Sequence, residues 1–271
     1  MQNALLAGLL ASVACGLVGS YVVARRISYL AGAIAHSVLG GIGLADYLAV
    51  VYGWTFLKPL YGAVIAALAA AITIGLVTLR AREREDTVIG AIWAIGMAVG
   101  IFFIVKTPGY SENLMSYLFG NILLVSRQEL WLLVVLDIVV VVVGILFYRQ
   151  LLAVCFDEEF ARVRGVPVEF YYLLLLCLTA LTVVLLVTVV GIVMVIALLT
   201  LPAAVARYFS RTLWQSMIVA TICSMIFTFA GLAISYRPDL PAGATIIILA
   251  GAVYLLVTIG YSLWRRRHRV N

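Results

Sequence analysis

A histidine, His36, stands in the otherwise uncharged stretch ISYLAGAIAHSVLGG, residues 27–41. Its neutral imidazole is a good ligand for Zn²⁺ and an acceptable one for other first-row transition metals. Arg25 and Arg26 precede the stretch, so His36 would lie about 12 Å inside a helix that begins there. Ionisable groups at such a depth often mark a transport pathway, and the plainer alternative is a core histidine hydrogen-bonded to a neighbouring carbonyl.

Two aspartates stand in apolar stretches and could contribute carboxylate oxygens to a cation site. Asp137 lies in LLVVLDIVVVVVG, about 10 Å from the polar end of its stretch. A carboxylate there must face water, a partner or a cation, and a structural hydrogen bond to a Ser or Thr of another helix is the alternative. Asp46 follows His36 by ten residues, about 80° around a helix. Asp46 either faces the same water-filled cavity as His36 and acts as a second ligand, or is an acid in contact with water at the membrane–water interface.

A third polar segment, FDEEFARVRGVP at residues 156–167, has the signals of a short helix. Asp157 can cap its N-terminus, two glutamates occupy the first turn, and two arginines occupy the last turn. Gly165 can adopt the left-handed conformation after the helix, and Pro167 prevents its continuation. We therefore predict a helix of about two turns, which is either a surface helix lying on the membrane or a rigid element that docks on another protein.

The segments that must position these residues are almost entirely apolar. Of the 271 residues 65% are apolar and 11% are charged, whereas about a quarter of the residues in a soluble domain are charged. A membrane-spanning helix needs about 20 apolar residues, so we predict an all-α polytopic membrane protein with a single transmembrane domain, residues 1–271. The apolar stretches are Ala4–Ala24, Ser28–Tyr52, Pro59–Leu79, Thr87–Val105, Leu130–Tyr148, Phe170–Ala206, Leu213–Ser235 and Ala242–Trp264.

The stretch Phe170–Ala206 is too long for one straight span, because it would extend about 55 Å across a hydrocarbon core of about 30 Å. We divide it at Val190 and Gly191, which gives nine spans; one long tilted helix would give eight. With nine spans and the N-terminus outside, inside loops hold all the Lys and Arg residues except Lys58, Lys106, Arg127 and Arg237. This bias satisfies the positive-inside rule. We therefore predict an outside N-terminus and a cytoplasmic C-terminus.

Two intervals between the spans are longer than turns. On the outside, Lys106–Glu129 contains SENLMSYLFGNILLVS, which we interpret as a re-entrant or interfacial helix. On the inside, Arg149–Glu169 contains the short helix described above. The four cysteines are scattered without a Cys-x-x-Cys pair, which argues against a disulfide framework or a thiolate metal site. The net charge of +6 resides largely in short loops, where it favours orientation in the membrane over nucleic-acid binding.

Five blocks of the sequence resemble the permease subunits of bacterial zinc/manganese ABC importers. They are RRISYLAGAIAHSVLGGIGLA (25–45), SYLFGNILLVS (116–126), FDEEFARVRGVP (156–167), VVGIVMVIALLTLPAAVAR (189–207) and SYRPDLPAGATIIIL (235–249). The resemblance implies a homodimeric permease in the bacterial inner membrane, two cytoplasmic ATPase subunits, and an extracytoplasmic protein that delivers Zn²⁺, Mn²⁺ or sometimes Fe²⁺. Membrane lipid surrounds such a permease, and nucleic acid is not a partner.

The resemblance also implies roles for the polar residues. The short helix would couple the permease to the ATPase, which binds the ATP, while this chain binds no cofactor and hydrolyses nothing. In agreement, the sequence has no Gly-x-x-x-x-Gly-Lys-Ser/Thr loop. We call residues 156–167 the coupling segment. Its residues that would contact the ATPase are Phe156, Asp157, Glu158, Glu159, Phe160, Arg162, Val163 and Gly165.

The sequence departs from the family pattern beside His36. The family's second span usually carries Gly-Asp-x-x-x-His, and Gly32 stands here at the position of the Asp. We take His36, Asp46 and Asp137 as candidate ligands of the transported ion. Because fewer carboxylates surround the retained imidazole, we expect Zn²⁺ first and Mn²⁺ second.

A transporter of another class is the main alternative. In a secondary transporter driven by a proton or ion gradient, His36 and Asp137 would form a proton relay without any ATPase. An intramembrane enzyme is a more remote option, because the sequence contains no His-Glu-x-x-His motif and no evident nucleophile–base pair.

Overall fold

The structure, a computed structural model, describes residues 2–54, 56–81, 84–108, 126–236 and 240–268. In these ranges the regular structure consists of eleven helices, and no strand is present. The helices are α1 (Gln2–Arg25), α2 (Ser28–Tyr52), α3 (Pro59–Ala81), α4 (Glu85–Lys106), α5 (Arg127–Leu146), α6 (Tyr148–Phe156), α7 (Glu158–Val163), α8 (Val168–Val190), α9 (Ile192–Phe209), α10 (Leu213–Tyr236) and α11 (Ala242–His268).

Eight of these helices, α1 to α4 and α8 to α11, are long and apolar enough to cross a membrane. The pair α5 and α6 passes the same test when its two helices are taken together, although they meet at an angle of 71°. The prediction of an all-helical polytopic membrane protein with about nine spans is therefore confirmed. The predicted re-entrant or interfacial helix within Lys106–Glu129 falls mainly on residues 109–125, which lie outside the described ranges.

The predicted division of the longest apolar stretch is also confirmed. Helix α8 ends at Val190 and α9 begins at Ile192, with Gly191 between them at φ 83° and ψ 160°, a conformation open almost only to glycine. At the far end of α8, the Tyr172 ring contacts Arg25, and Arg25 lines a cavity together with Arg207 near the end of α9. One straight helix would hold Tyr172 and Arg207 about 50 Å apart, so the chain reverses at Gly191.

The loops that we assigned to the inside meet at one end of the helix bundle. Arg25, Arg26, Arg207 and Arg211 line a cavity of about 440 Å³ there, together with residues 155 and 156 at the end of α6. We call this the arginine end. Helix α11 also reaches it, because the rings of Tyr208 and Tyr261 lie 5.1 Å apart. Which side of the membrane the arginine end faces, and hence the N-out orientation, stays a prediction.

Helix α2 is enclosed over much of its length, since residues 30–43 are all buried. Glycines let it approach its neighbours at backbone distance. A Cβ atom built on Gly41 would lie 2.2 Å from the carbonyl oxygen of Gly62 on α3, and one built on Gly40 would lie 2.9 Å from that of Gly96 on α4. In a membrane, where apolar side chains gain little from leaving lipid, such close contacts supply much of the attraction between helices.

These contacts generate a first prediction. Gly41→Ala places a methyl group against a backbone oxygen that cannot move aside, and it should destabilise the detergent-solubilised protein by about 1–3 kcal/mol. Gly251→Ala in α11 is the matched control, because a Cβ atom there meets nothing within 4 Å. Thermal unfolding followed by size-exclusion chromatography measures both. Equal melting temperatures for the two variants would show that α2 and α3 are not in backbone contact.

Candidate functional site

His36 lies in the first half of α2, a helix that packs against α3, α4, α8 and α9. The side chain is only 8% exposed, and its Nδ1 atom is buried without a hydrogen-bond partner among the described residues. A histidine that served only as core would be expected to pair this nitrogen with a carbonyl or hydroxyl, because a buried unpaired polar atom costs about 1–3 kcal/mol. Among the described residues, no protein group competes with a proton or a metal ion for this ring nitrogen.

Trp93 of α4 covers the imidazole. The two rings stack with their centroids 5.0 Å apart and their planes inclined by 26°. The indole also fills the space beside Gly32, one helical turn before His36: a Cβ atom at Gly32 would lie 2.3 Å from Cζ3 and 2.4 Å from Cη2 of Trp93. An aromatic side chain thus occupies the position that the family pattern assigns to a carboxylate.

Sequence reasoning did not single out Trp93. It is one tryptophan in an apolar span, 57 positions after His36, and no spacing rule links the two residues. The only signal was indirect, because the glycine at position 32 left room for a bulky group from another helix.

The two candidate aspartates lie elsewhere. Asp46 is partly buried on α2, about 15 Å along the helix from His36. Asp137 is 8% exposed on α5, which packs mainly against α1 and α8. Its Oδ1 atom has no partner among the described residues, and the carboxylate interacts with the backbone of Ala14 and with Cys15 of α1. The structure therefore does not bring Asp137 beside the imidazole.

In the described part of the chain, no three His, Cys, Asp or Glu side chains are grouped so that they could hold a metal ion. This arrangement differs from a closed structural metal site, which has four protein ligands. It is compatible with transient coordination of an ion that passes through, where water supplies most ligands. The roles of His36, Asp46 and Asp137 as metal ligands stay a prediction.

The predicted helix in the coupling segment is present as α7. The Asp157 side chain accepts a hydrogen bond of 2.9 Å from the Phe160 backbone N–H. At the other end, Gly165 has φ 76° and its N–H donates to the Arg162 carbonyl, while the Val166 N–H donates to the Ala161 carbonyl. These two bonds form a Schellman motif. Both ends of the helix are thus fixed by local hydrogen bonds.

The apolar side chains of this segment point outward. Phe156 is 68% exposed and Val163 is 88% exposed, and Phe160 is also exposed, with the Arg164 guanidinium 4.7 Å from its ring centre. Large apolar groups on a short polar connection are typical of an interaction site or of a surface in contact with lipid. The docking role of the eight residues predicted for this segment stays a prediction.

Arg25, the last residue of α1, connects the coupling segment to α8 and, through Tyr172, to α4. Its guanidinium forms an ion pair with Glu158 of α7, donates a 3.0 Å hydrogen bond to the Val154 carbonyl, and lies 5.1 Å from the ring centre of Tyr172 on α8. The Tyr172 hydroxyl in turn donates to Glu85 in the first turn of α4. We call Glu158, Arg25, Tyr172 and Glu85 the Arg25 network. The sequence indicated only that Arg25 belongs to the basic residues of the inside loops, because its partners are distant along the chain.

Known proteins resemble this chain along nearly its whole length. A probable metal transport system membrane protein of Chlamydia trachomatis is 42% identical over 93% of this chain and 86% of its own. The manganese transport system membrane protein MntC of Halalkalibacterium halodurans is 34% identical over 94% of this chain and 85% of its own. Among solved structures, PsaBC from Streptococcus pneumoniae in complex with Fab superposes with a TM-score of 0.82 at 30% identity, over 94% of this chain and 90% of that one.

The family model of the ABC 3 transport family matches residues 1–260. That match covers all the described helices except the end of α11. The relatives are named membrane proteins, which agrees with the spans found here, and the bacterial cytoplasmic (inner) membrane fits this family. The chain is a multi-pass membrane protein that belongs to the ABC 3 transport family, the permeases of metal ABC importers.

Proposed function

We propose that this chain is the membrane-spanning permease of an ATP-driven importer of a divalent transition-metal ion. The observation that carries the proposal is His36, a nine-tenths buried imidazole within the continuously buried residues 30–43 of α2, whose Nδ1 has no protein partner among the described residues. Intramembrane ionisable groups are costly and mark ion pathways. The family membership gives this histidine a transport context.

The transported ion is Mn²⁺ or Zn²⁺ in this proposal. Imidazole ligation with few nearby carboxylates favours Zn²⁺, which was our first expectation. The relative from Halalkalibacterium halodurans is named for manganese, which supports Mn²⁺ equally well. Weak and exchangeable coordination is required for either ion, because a closed high-affinity site would retain it.

The proposed assembly contains two copies of this chain, two cytoplasmic ATPase subunits and an extracytoplasmic metal-binding protein. Residues 1–271 act as one permease domain within it, and the ATPases bind and hydrolyse the ATP. The arginine end faces the cytoplasm. Metal released by the binding protein enters from the opposite side, passes His36 and leaves as the permease alternates between outward-open and inward-open states.

The coupling segment carries the ATPase motion to the spans in this proposal. The capped helix α7 presents the exposed Phe156, Phe160 and Val163 to a groove on the ATPase. Its rigidity matters, because a helix that unravelled under load would transmit no force. The Arg25 network then connects α7 with α1, α8 and the first turn of α4.

Replacement of His36 tests the pathway. His36→Ala removes the one imidazole of α2, and we expect ⁵⁴Mn or ⁶⁵Zn uptake in cells lacking their own importer to fall at least tenfold. This is the loss expected when one good interaction of about 1.4 kcal/mol disappears. His268→Ala, the chain's other histidine, is the matched control. Native uptake by a normally expressed His36→Ala protein would return the residue to a core role.

Dependence on a partner tests the transporter class. The purified chain in liposomes should move neither ion alone. It should import Mn²⁺ or Zn²⁺ when its ATPase partner and ATP are present inside and the metal-binding protein is present outside. Metal flux driven by a pH gradient without ATPase would support the secondary transporter instead. That alternative requires His36 and Asp137 in one relay, whereas Asp137 lies on a helix that packs mainly against α1 and α8.

The Arg25 network gives a prediction about coupling. Glu158→Gln removes the ion pair with Arg25 but keeps the shape of the side chain, and we expect ATP-driven uptake to fall about 2- to 30-fold, the range for coupling changes of 0.5–2 kcal/mol. Glu169→Gln, an exposed position at the start of α8, should leave uptake unchanged. Equal effects of both substitutions on uptake would show that loss of any acid near α7 matters, and not the ion pair.

A further inference from the structure

The contact between Trp93, Gly32 and His36 suggests how the pathway is closed. Three ring atoms of Trp93 lie where a side chain at position 32 would begin, at 2.3, 2.4 and 3.0 Å from an ideal Cβ atom. The same indole stacks on the imidazole of His36. The ring therefore fits a space that only glycine provides, and it covers one face of the histidine as a consequence.

The indole cannot take the place of a metal ligand. Its only polar group is an N–H donor, which has no lone pair to offer a cation. An ion that reached His36 in this conformation would meet a flat apolar ring on one side and a buried, inaccessible Nδ1. We therefore interpret the stacked arrangement as a closed state, in which Nδ1 of His36 is inaccessible to an ion.

Helix α4 is suited to move Trp93 away. Only Ile89 and Gly100 of its residues are buried, whereas residues 30–43 of α2 are all buried. It crosses α2 at glycines: Gly40 approaches Gly96, and Gly43 approaches Gly100. Among the described helices α4 packs mainly against α2 and more lightly against α3, so a shift of α4 disturbs few contacts other than those with α2. The first turn of α4 holds Glu85, eight residues or about 12 Å before Trp93, and Glu85 belongs to the Arg25 network.

We propose that Trp93 is the gate of this pathway: seated on Gly32 it closes His36, and a shift of α4 relative to α2 lifts it and admits the ion. This inference rests on the proposed transport function and identifies the residue that controls it. The Arg25 network supplies a route by which motion of α7 reaches α4. Trp93 acts by covering His36 and binds no metal itself.

Transport measurements test the gate directly. In liposomes that contain the complete complex, Trp93→Ala should let Mn²⁺ leak without ATP at a rate several-fold above that of the native complex, because the cover over His36 is gone. Trp93→Phe, which keeps an aromatic ring on Gly32, should retain most of the closure. Trp131→Ala is the matched control, since this tryptophan is 72% exposed on α5. A tight, fully ATP-dependent Trp93→Ala complex would overturn the proposal.

A fluorescence measurement does not depend on how well Trp93→Ala folds. With Trp54, Trp131, Trp214 and Trp264 changed to Phe, and with an ATPase partner from which tryptophan has been removed, the emission reports on Trp93 alone. We expect acrylamide to quench this emission several-fold more strongly when the ATPases are trapped with nucleotide than in the nucleotide-free complex. Identical quenching in both states, in a protein that still imports Mn²⁺, would overturn the gate and leave the transport function intact. A native complex without ATP-driven uptake would instead refute the proposed function itself.

A paired substitution tests the fit between the ring and the glycine. Gly32→Ala should lower the melting temperature strongly in the native background, because its methyl group overlaps the indole. In a Trp93→Ala background the same change should be close to neutral, since the overlapping ring is absent. An equal effect of Gly32→Ala in both backgrounds would show that the indole does not occupy this space and would remove the basis of the gate.

Discussion

Helix α2 crosses α3 and α4 so closely that a single methyl group on Gly41 would overlap a carbonyl oxygen of Gly62. The other features of the site depend on this approach. It encloses residues 30–43, and it brings α4 near enough for Trp93 to reach both Gly32 and His36. Larger residues at these crossings would separate the helices by the width of a side chain, and the imidazole would then face an open crevice.

Buried polar side chains in the membrane-spanning helices are satisfied in two different ways. Ser12, Ser20 and Thr182 donate hydrogen bonds to the carbonyl four residues earlier in their own helices, which satisfies them without outside help. Ser224 and Thr228 have no partner in the described structure, but a hydroxyl can reach the same carbonyl by rotating. The polar atoms of an imidazole or a carboxylate are not satisfied by a carbonyl of their own helix in this way. His36 and Asp137 must therefore be explained by something beyond their own helices.

The charged groups at the arginine end have a different role from those inside the membrane. Arg25 serves three neighbours at once, an acid on α7, a carbonyl on α6 and an aromatic ring on α8, so these elements cannot move independently without breaking contacts. The Tyr172–Glu85 hydrogen bond extends the connection to α4. A contiguous set of contacts thus runs from the exposed helix α7 to the helix that covers His36, the kind of network through which packed elements are coupled.

The sequence alone determined the features that depend on neighbouring residues. Apolar length predicted the spans, the order of Asp157, the two glutamates and Gly165 predicted the capped helix α7, and excess length predicted the reversal at Gly191. Each of these features follows from local hydrogen bonding or from the thickness of the membrane. A single segment of the sequence is enough to predict it. Only the tertiary structure decided what stands beside His36. The carboxylate missing at Gly32 is replaced in space by Trp93, and Asp137 turns toward α1, because helix packing joins residues that no spacing along the chain relates.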